Sequence, residues 1–257
     1  MILAADIGVR VVSLGVFEGE RLLFRGELAA APGRTADEYA ILLEQLFRMH
    51  GVAPGMEGAV LSSVSRPLDP VMIRAVERVC GARPLLLGPG VRTGLRIRAE
   101  NAAELGGDIA AGCIAAQELC KPPLAVIALE TATTLAYLDE KGTLCGALIC
   151  PGIGLGAEAL SRLAGGLPAI SLEAPEKLLG SNTVQAMNNG VVCGTAAMLD
   201  GLIARLREER QDGELSVVIT GRLAPLALPL CRTEMRYVPD LVLEGLRLVY
   251  ERNRKRK

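Results

Sequence analysis

The chain opens on an apolar run, Ile2 to Ile7, broken only by Asp6. That pattern predicts a buried strand running into an acidic, glycine-containing turn at Asp6-Ile7-Gly8. Val11 to Phe17 reads as a second strand, Glu18-Gly19-Glu20 as a turn and Arg21 to Leu28 as a third strand, so the chain begins with a three-stranded meander. Apolar residues then recur at Tyr39, Leu42, Leu43, Leu46 and Phe47, the spacing of a helix from about Thr35 to His50. Glu57 to Ser63 reads as a strand, Pro67 to Cys80 as a helix, Pro84 to Leu87 as a short strand and Asn101 to Leu119 as a helix rich in small residues.

The opening pattern then returns. Leu124 to Thr131 is a strand into a turn, Thr133 to Leu138 a strand, Asp139 to Gly142 a turn and Leu144 to Ile149 a strand. Displacing the chain by 122 positions lays Ala128 on Asp6, Glu130 on Gly8 and Leu144 on Leu22. Two copies of one strand-turn-strand-turn-strand pattern predict a duplicated α/β domain. The seam falls near Lys121-Pro122-Pro123, giving domains over 1–120 and 121–257. Leu215 to Thr220 reads as a further strand, Leu241 to Asn253 as a closing helix, and the basic tail from Arg252 as a solvated end.

Composition narrows the function classes. Half the residues are apolar, enough for a sizeable core. The 28 basic and 29 acidic residues nearly cancel, and there is no Trp, with three Phe and four Tyr, so neither charge nor stacking surfaces favour nucleic acid. Seven scattered cysteines without a CxxC pair, beside a single His, do not form a disulfide framework or a zinc site. No apolar run is long enough to span a membrane, and the N-terminus lacks the basic stretch of a signal peptide, so a cytoplasmic location is expected.

The duplication carries the candidate chemistry. A tight turn between strands presents backbone N–H groups that suit phosphate oxygens, and two such turns facing each other would clamp a nucleoside triphosphate. A nearby carboxylate, as at Asp6, can hold a cation that offsets phosphate charge. From the residues alone, Asp108 reads as either a helix N-cap or a general base, Thr131 as a strand residue or a ligand contact, and Thr183 as a helix cap or a ligand contact. Gly152-Ile153-Gly154-Leu155-Gly156 lacks the spacing and the βαβ context of a dinucleotide fingerprint.

An ordered set of segments resembles the type III pantothenate kinases, of the actin-like, ribonuclease-H-like superfamily. They are Asp6-Ile7-Gly8, Ser62-Ser63-Val64, Gly90 to Leu95, Gly106-Gly107-Asp108, Thr131-Ala132-Thr133-Thr134, Pro151-Gly152-Ile153, Gly180 to Thr183 with Ala186-Met187, and Glu244 to Arg247. The resemblance implies two actin-like domains, each a mixed sheet flanked by helices. It implies transfer of the ATP γ-phosphate to the primary hydroxyl of pantothenate, with Mg²⁺ and a monovalent cation, K⁺ or NH₄⁺, in a homodimer. It places Asp6 and Gly8 in the first phosphate loop and Thr131 in the second; Arg10, in the same first loop, is a candidate phosphate ligand and Asp6 a candidate metal ligand. It places Thr220 and Gly221 in an adenosine loop, Gly106, Gly107 and Thr183 at pantothenate, and Asp108 as the general base.

The chain departs from the family at ligand positions. Val9-Arg10-Val11-Val12 replaces small polar residues of the first loop, Ala99 a Tyr, Ile109 an Arg, Ala128 the Asp of the monovalent-cation site, Glu130 a Gly of the second loop and Arg222 a Gly after Thr220-Gly221. A like-charge pair at ~4 Å with an effective dielectric of ~20 costs about 4 kcal/mol, so Glu130 would oppose a triphosphate unless paired. The internal repeat points to Arg10 as its partner. Three readings follow: an active, atypical pantothenate kinase; an impaired paralogue serving as regulator or heterodimer subunit of a true kinase; or a small-molecule kinase with a changed acceptor.

Overall fold

Alternation sorts the side chains of β1 (Ile2–Ile7) onto two faces of a sheet. Leu3, Ala5 and Ile7 enter one buried cluster; Ile2 and Ala4 enter another. The computed structural model describes residues 1–52, 55–98, 105–211 and 214–254. Ala99 and the start of the helix expected at 101–119 lie outside them.

The chain divides into two compact units. One comprises Met1–Leu95, Glu100–Ala115 and Leu241–Lys257; the other comprises Arg96–Ala99 and Ala116–Asp240. The closing helix therefore belongs to the first unit, although it lies beyond the proline-rich seam.

In the first unit, β1 pairs antiparallel with β2 (Val11–Glu18), which pairs antiparallel with β3 (Arg21–Ala29). On its other side β1 runs parallel to β4 (Gly58–Ser63), and β4 to β5 (Leu85–Leu86). One sheet face is covered by α1 (Ala36–Met49) and α2 (Asp69–Cys80) through Tyr39, Leu43, Phe47, Met72 and Val76. The start of α1 is fixed by a reciprocal cap: the Glu38 N–H donates to Thr35 Oγ1 at 3.3 Å and the Thr35 N–H to Glu38 Oε2 at 2.7 Å. The other face packs on α3 (Gly107–Leu119) and α7 (Leu241–Asn253) through Ala111, Leu243 and Leu246. A Cβ on Gly245 would collide with the Ala111 carbonyl, so these two helices meet backbone to backbone.

The second unit repeats the plan. β7 (Leu124–Leu129) pairs antiparallel with β8 (Ala132–Leu138), β8 with β9 (Thr143–Pro151), and β7 runs parallel to β10 (Ser216–Thr220) and β10 to β11 (Arg236–Tyr237). A short β6 (Arg96–Ile97) is added beside β9. The strand orders β3-β2-β1-β4-β5 and β9-β8-β7-β10-β11 are the same. Asp6 lies opposite Ser13 and beside Ser62; Ala128 lies opposite Thr134 and beside Thr220. Even the register shift recurs, between Val16 and Phe17 and again between Tyr137 and Leu138. Here Ala125, Ile127 and Leu129 pack against α4 (Ile153–Leu163), α5 (Thr183–Arg210) and α6 (Ala224–Ala227). Gly152 caps α4, which accounts for the glycine-rich 152–156 segment without a dinucleotide site.

Candidate functional site

The site in the first unit grows out of the sheet's alternation. Along the face covered by α3 and α7, β1 presents Ile2, Ala4 and then Asp6, and β4 presents Val60 and then Ser62. The face is apolar beneath the helices and turns polar where the strands end. Asp6 and Ser62 are register partners on parallel strands, so they point to the same side. Helix α3 starts at this level. Asp108 is its second residue, so its carboxyl lies in the first turn of the helix, beside the free backbone N–H groups there.

Two glycines shape the approach. A Cβ on Gly106 would collide with Asp108 Oδ1, and one on Gly107 would stand 2.9 Å from Ser62 Oγ. Asp108 Oδ1 and Ser62 Oγ are both buried, and neither has a hydrogen-bond partner among the described residues. Asp108 itself is half-buried. Burial holds its carboxyl above the usual aspartate value, against the lowering effect of backbone N–H groups at the helix start. One turn further along α3, burial and the Asp108 carboxylate push the enclosed Cys113 thiol up to about 12, so it stays protonated.

The first turn is tight. The Gly8 N–H donates to the Val11 carbonyl at 2.9 Å, and a Cβ on Gly8 would press on that oxygen. Val9 and Arg10 form the exposed tip. The matching turn of the second unit is one residue shorter and closes from the Glu130 N–H to the Ala132 carbonyl at 3.1 Å. Three segments converge there. A Cβ on Gly152 would collide with the carbonyls of Glu130 and Thr131. Gly221 has φ +104°, and a Cβ on it would collide with Leu129. Thr220 is buried, its hydroxyl donating to the Pro239 carbonyl at 3.4 Å.

Glu130 is held inside this cluster. The Arg222 N–H donates to Glu130 Oε1 at 2.9 Å and Arg222 Nε to Oε2 at 3.2 Å. Within its own unit the carboxylate has Arg222 as its partner, because strands β7 and β10 are neighbours and end side by side. Two departures from the family pattern are therefore one compensated pair. The Glu130 charge is offset within its own unit.

Thr131, Thr220 and Gly221 are thus brought together, while Thr183 opens a different feature of the same unit. It is the exposed first residue of α5; the cap is Asn182, whose side chain accepts from the Gln185 N–H at 2.9 Å. With Leu160, Leu167, Ser181 and Met187 it lines an open groove of about 530 Å³. Ser62 was read only as part of a family segment and Arg222 only as a departure from the family pattern; neither was assigned a role.

The chain matches the type III pantothenate kinase family over residues 2–205. It is 40% identical over 254 residues to the type III pantothenate kinase of Moorella thermoacetica, spanning 98% of this chain and 100% of that one. It belongs to the type III pantothenate kinase family. The enzyme of that name from Geobacter sulfurreducens is 36% identical over 99% of this chain and 100% of its own length. Among solved structures, the activator of the 2-hydroxyisocaproyl-CoA dehydratase from Clostridium difficile with bound ADPNP superposes with a TM-score of 0.58 at 12% identity, covering 100% of this chain and 98% of that one. That likeness speaks for the fold, which is of the actin-like kind.

Proposed function

We propose that this chain transfers the γ-phosphate of ATP to the primary hydroxyl of pantothenate. Family membership along nearly the whole chain supports the reading. The observation that carries it is the Asp108 carboxylate, half-buried at the start of α3 beside two glycines that leave its approach clear. In this reading Asp108 takes the proton from the acceptor hydroxyl as the phosphoryl group arrives in line.

Mg²⁺ characteristically keeps several waters and takes one or two protein carboxylates plus substrate phosphates; Asp6, at the end of β1, fits that donor set. The bound ion would neutralise charge on the phosphates. The first turn, with Gly8 and Arg10, and the second, with Thr131, Thr220 and Gly221, are the segments we assign to ATP. Gly106, Gly107 and Thr183 are assigned to pantothenate. Ala128 offers no carboxylate to a monovalent cation, so turnover is expected without K⁺ or NH₄⁺. We also place the chain in a homodimer. Ile149, Leu163, Leu178, Leu179 and Val184 are large apolar side chains left exposed on the second unit, the kind of surface a second copy would cover. No helix among the described residues is long and apolar enough to cross a membrane, and a cytoplasmic enzyme is the reading we adopt.

The test is ADP release with Mg-ATP and pantothenate, with and without K⁺ or NH₄⁺, by this chain alone and mixed with a conventional family member. Turnover by the chain alone is expected. Turnover only in the mixture would replace this reading with a heterodimer subunit. ATP binding without pantothenate turnover in either case would point to a different acceptor.

A further inference from the structure

Ser62 is fully buried, yet its hydroxyl has no hydrogen-bond partner among the described residues. The fold does not need it. Its neighbours on the same face, Ala4 and Val60, are apolar, and an Ala at 62 would keep the packing without burying an unpaired donor. The second unit solves the same problem differently: Thr220, at the equivalent register position, has the Pro239 carbonyl as its acceptor. A second unpaired oxygen lies close by. Asp108 Oδ1 is folded back against Gly106, Ser62 Oγ lies against Gly107, and these glycines are consecutive. A buried donor and a buried carboxylate oxygen thus share the backbone of one dipeptide.

We propose that Ser62 is a positioning residue for Asp108: its hydroxyl donates to the inward oxygen Oδ1, directly after a rotation about χ1 or through one enclosed water. Holding Oδ1 inward fixes the carboxylate plane and turns the other oxygen toward the acceptor. An O–H bond to a carboxylate is short and charge-assisted, so it constrains orientation better than packing alone. The proposal rests on the reading of Asp108 as the base that meets the acceptor.

Kinetics and structure test it separately. Ser62→Ala in the full chain is expected to lower kcat about tenfold, as slight misplacement of a reacting group does, with the KM for ATP unchanged and Tm no lower. A kcat within twofold of the parent, or a fall in kcat matched by a fall in Tm, would overturn the proposal. A high-resolution crystal structure of the unliganded protein gives the independent arm. Ser62 Oγ should bond to Asp108 Oδ1 or to a water that also reaches Oδ1. An Oγ satisfied elsewhere sinks the proposal even if pantothenate is turned over. Failure of the parent chain to turn over pantothenate overturns the proposed function instead, and the crystal structure still decides on Ser62.

Discussion

The two halves of this molecule share a strand order, a register and a bulge, and differ where the strands end. In the first unit β1 carries Asp6 as its last residue but one and turns at Gly8; in the second β7 carries Ala128 there and turns at Glu130. Ser62 stands where the copy has Thr220, and Val12 where the copy has Thr133. Positions inside the sheet answer to the core on both faces, so they stay apolar in both copies. Strand ends answer to no core. There one copy assembled carboxylates and glycines, and the other a latch, Glu130 with Arg222. Chemistry diverged at the positions that packing left open.

If the first unit is the chemical half, the largest effect should come from Asp108→Asn. It is expected to lower kcat by about 10²- to 10⁴-fold, the usual contribution of a general base. The same change should not destabilise the protein. Burial raises the folded-state pKa of Asp108 above its unfolded value, so the folded state binds that proton more tightly. Stability from this group is present below the ordinary aspartate value and is lost as pH rises through the raised one. At neutral pH the wild-type carboxylate is therefore a burden that Asn lacks. Thermal melts should show the variant gaining on the parent from acid to neutral pH. A variant with full activity would move the chemistry elsewhere.

The frame of both units was legible in the sequence, because apolar runs bounded by turn residues, and their return at a 122-residue offset, are local pattern. Helix α5 was legible only near its start. It carries Gly190, Gly194 and Gly201 and buries Asn188 and Asn189, so its apolar stripe is interrupted. Those two Asn side chains satisfy the backbone of Glu173, Lys177 and Leu178, a purpose visible only once the loop is folded against them. Ser62 could be read as part of a family segment, but not as a buried hydroxyl without an acceptor. The partner of Glu130 lies across the β7–β10 pairing, beyond any local pattern.

The latch in the second unit gives the next effect in size. Arg222→Gly leaves the Glu130 carboxylate without its guanidinium, beside a turn assigned to phosphate. Affinity for Mg-ATP, measured by calorimetry, is expected to fall about tenfold, less than the unscreened pair energy because both side chains are partly exposed. Combining it with Glu130→Gly should restore the parent affinity to within a few-fold. Glu130→Gly alone should not weaken binding; if the loss caused by Arg222→Gly vanishes once residue 130 is also changed, the two departures are one adaptation. The same loss from Arg222→Gly in both backgrounds would mean that Glu130 and Arg222 act separately.

The smallest effect bears on what the second copy keeps without structural need. Thr133 is buried at the start of β8, and its Oγ1 has no hydrogen-bond partner among the described residues. Its counterpart Val12 fills the same register position in the first unit with a side chain of nearly the same shape. Replacing a buried unpaired hydroxyl by a methyl removes a desolvation penalty of about 1 kcal/mol or more. Thr133→Val should therefore raise Tm by roughly 2–4 °C, the shift a change of that size produces in a chain of about this length. A fall in Tm would show that the Thr133 hydroxyl has an acceptor, and that the two copies differ inside the sheet as well as at its ends.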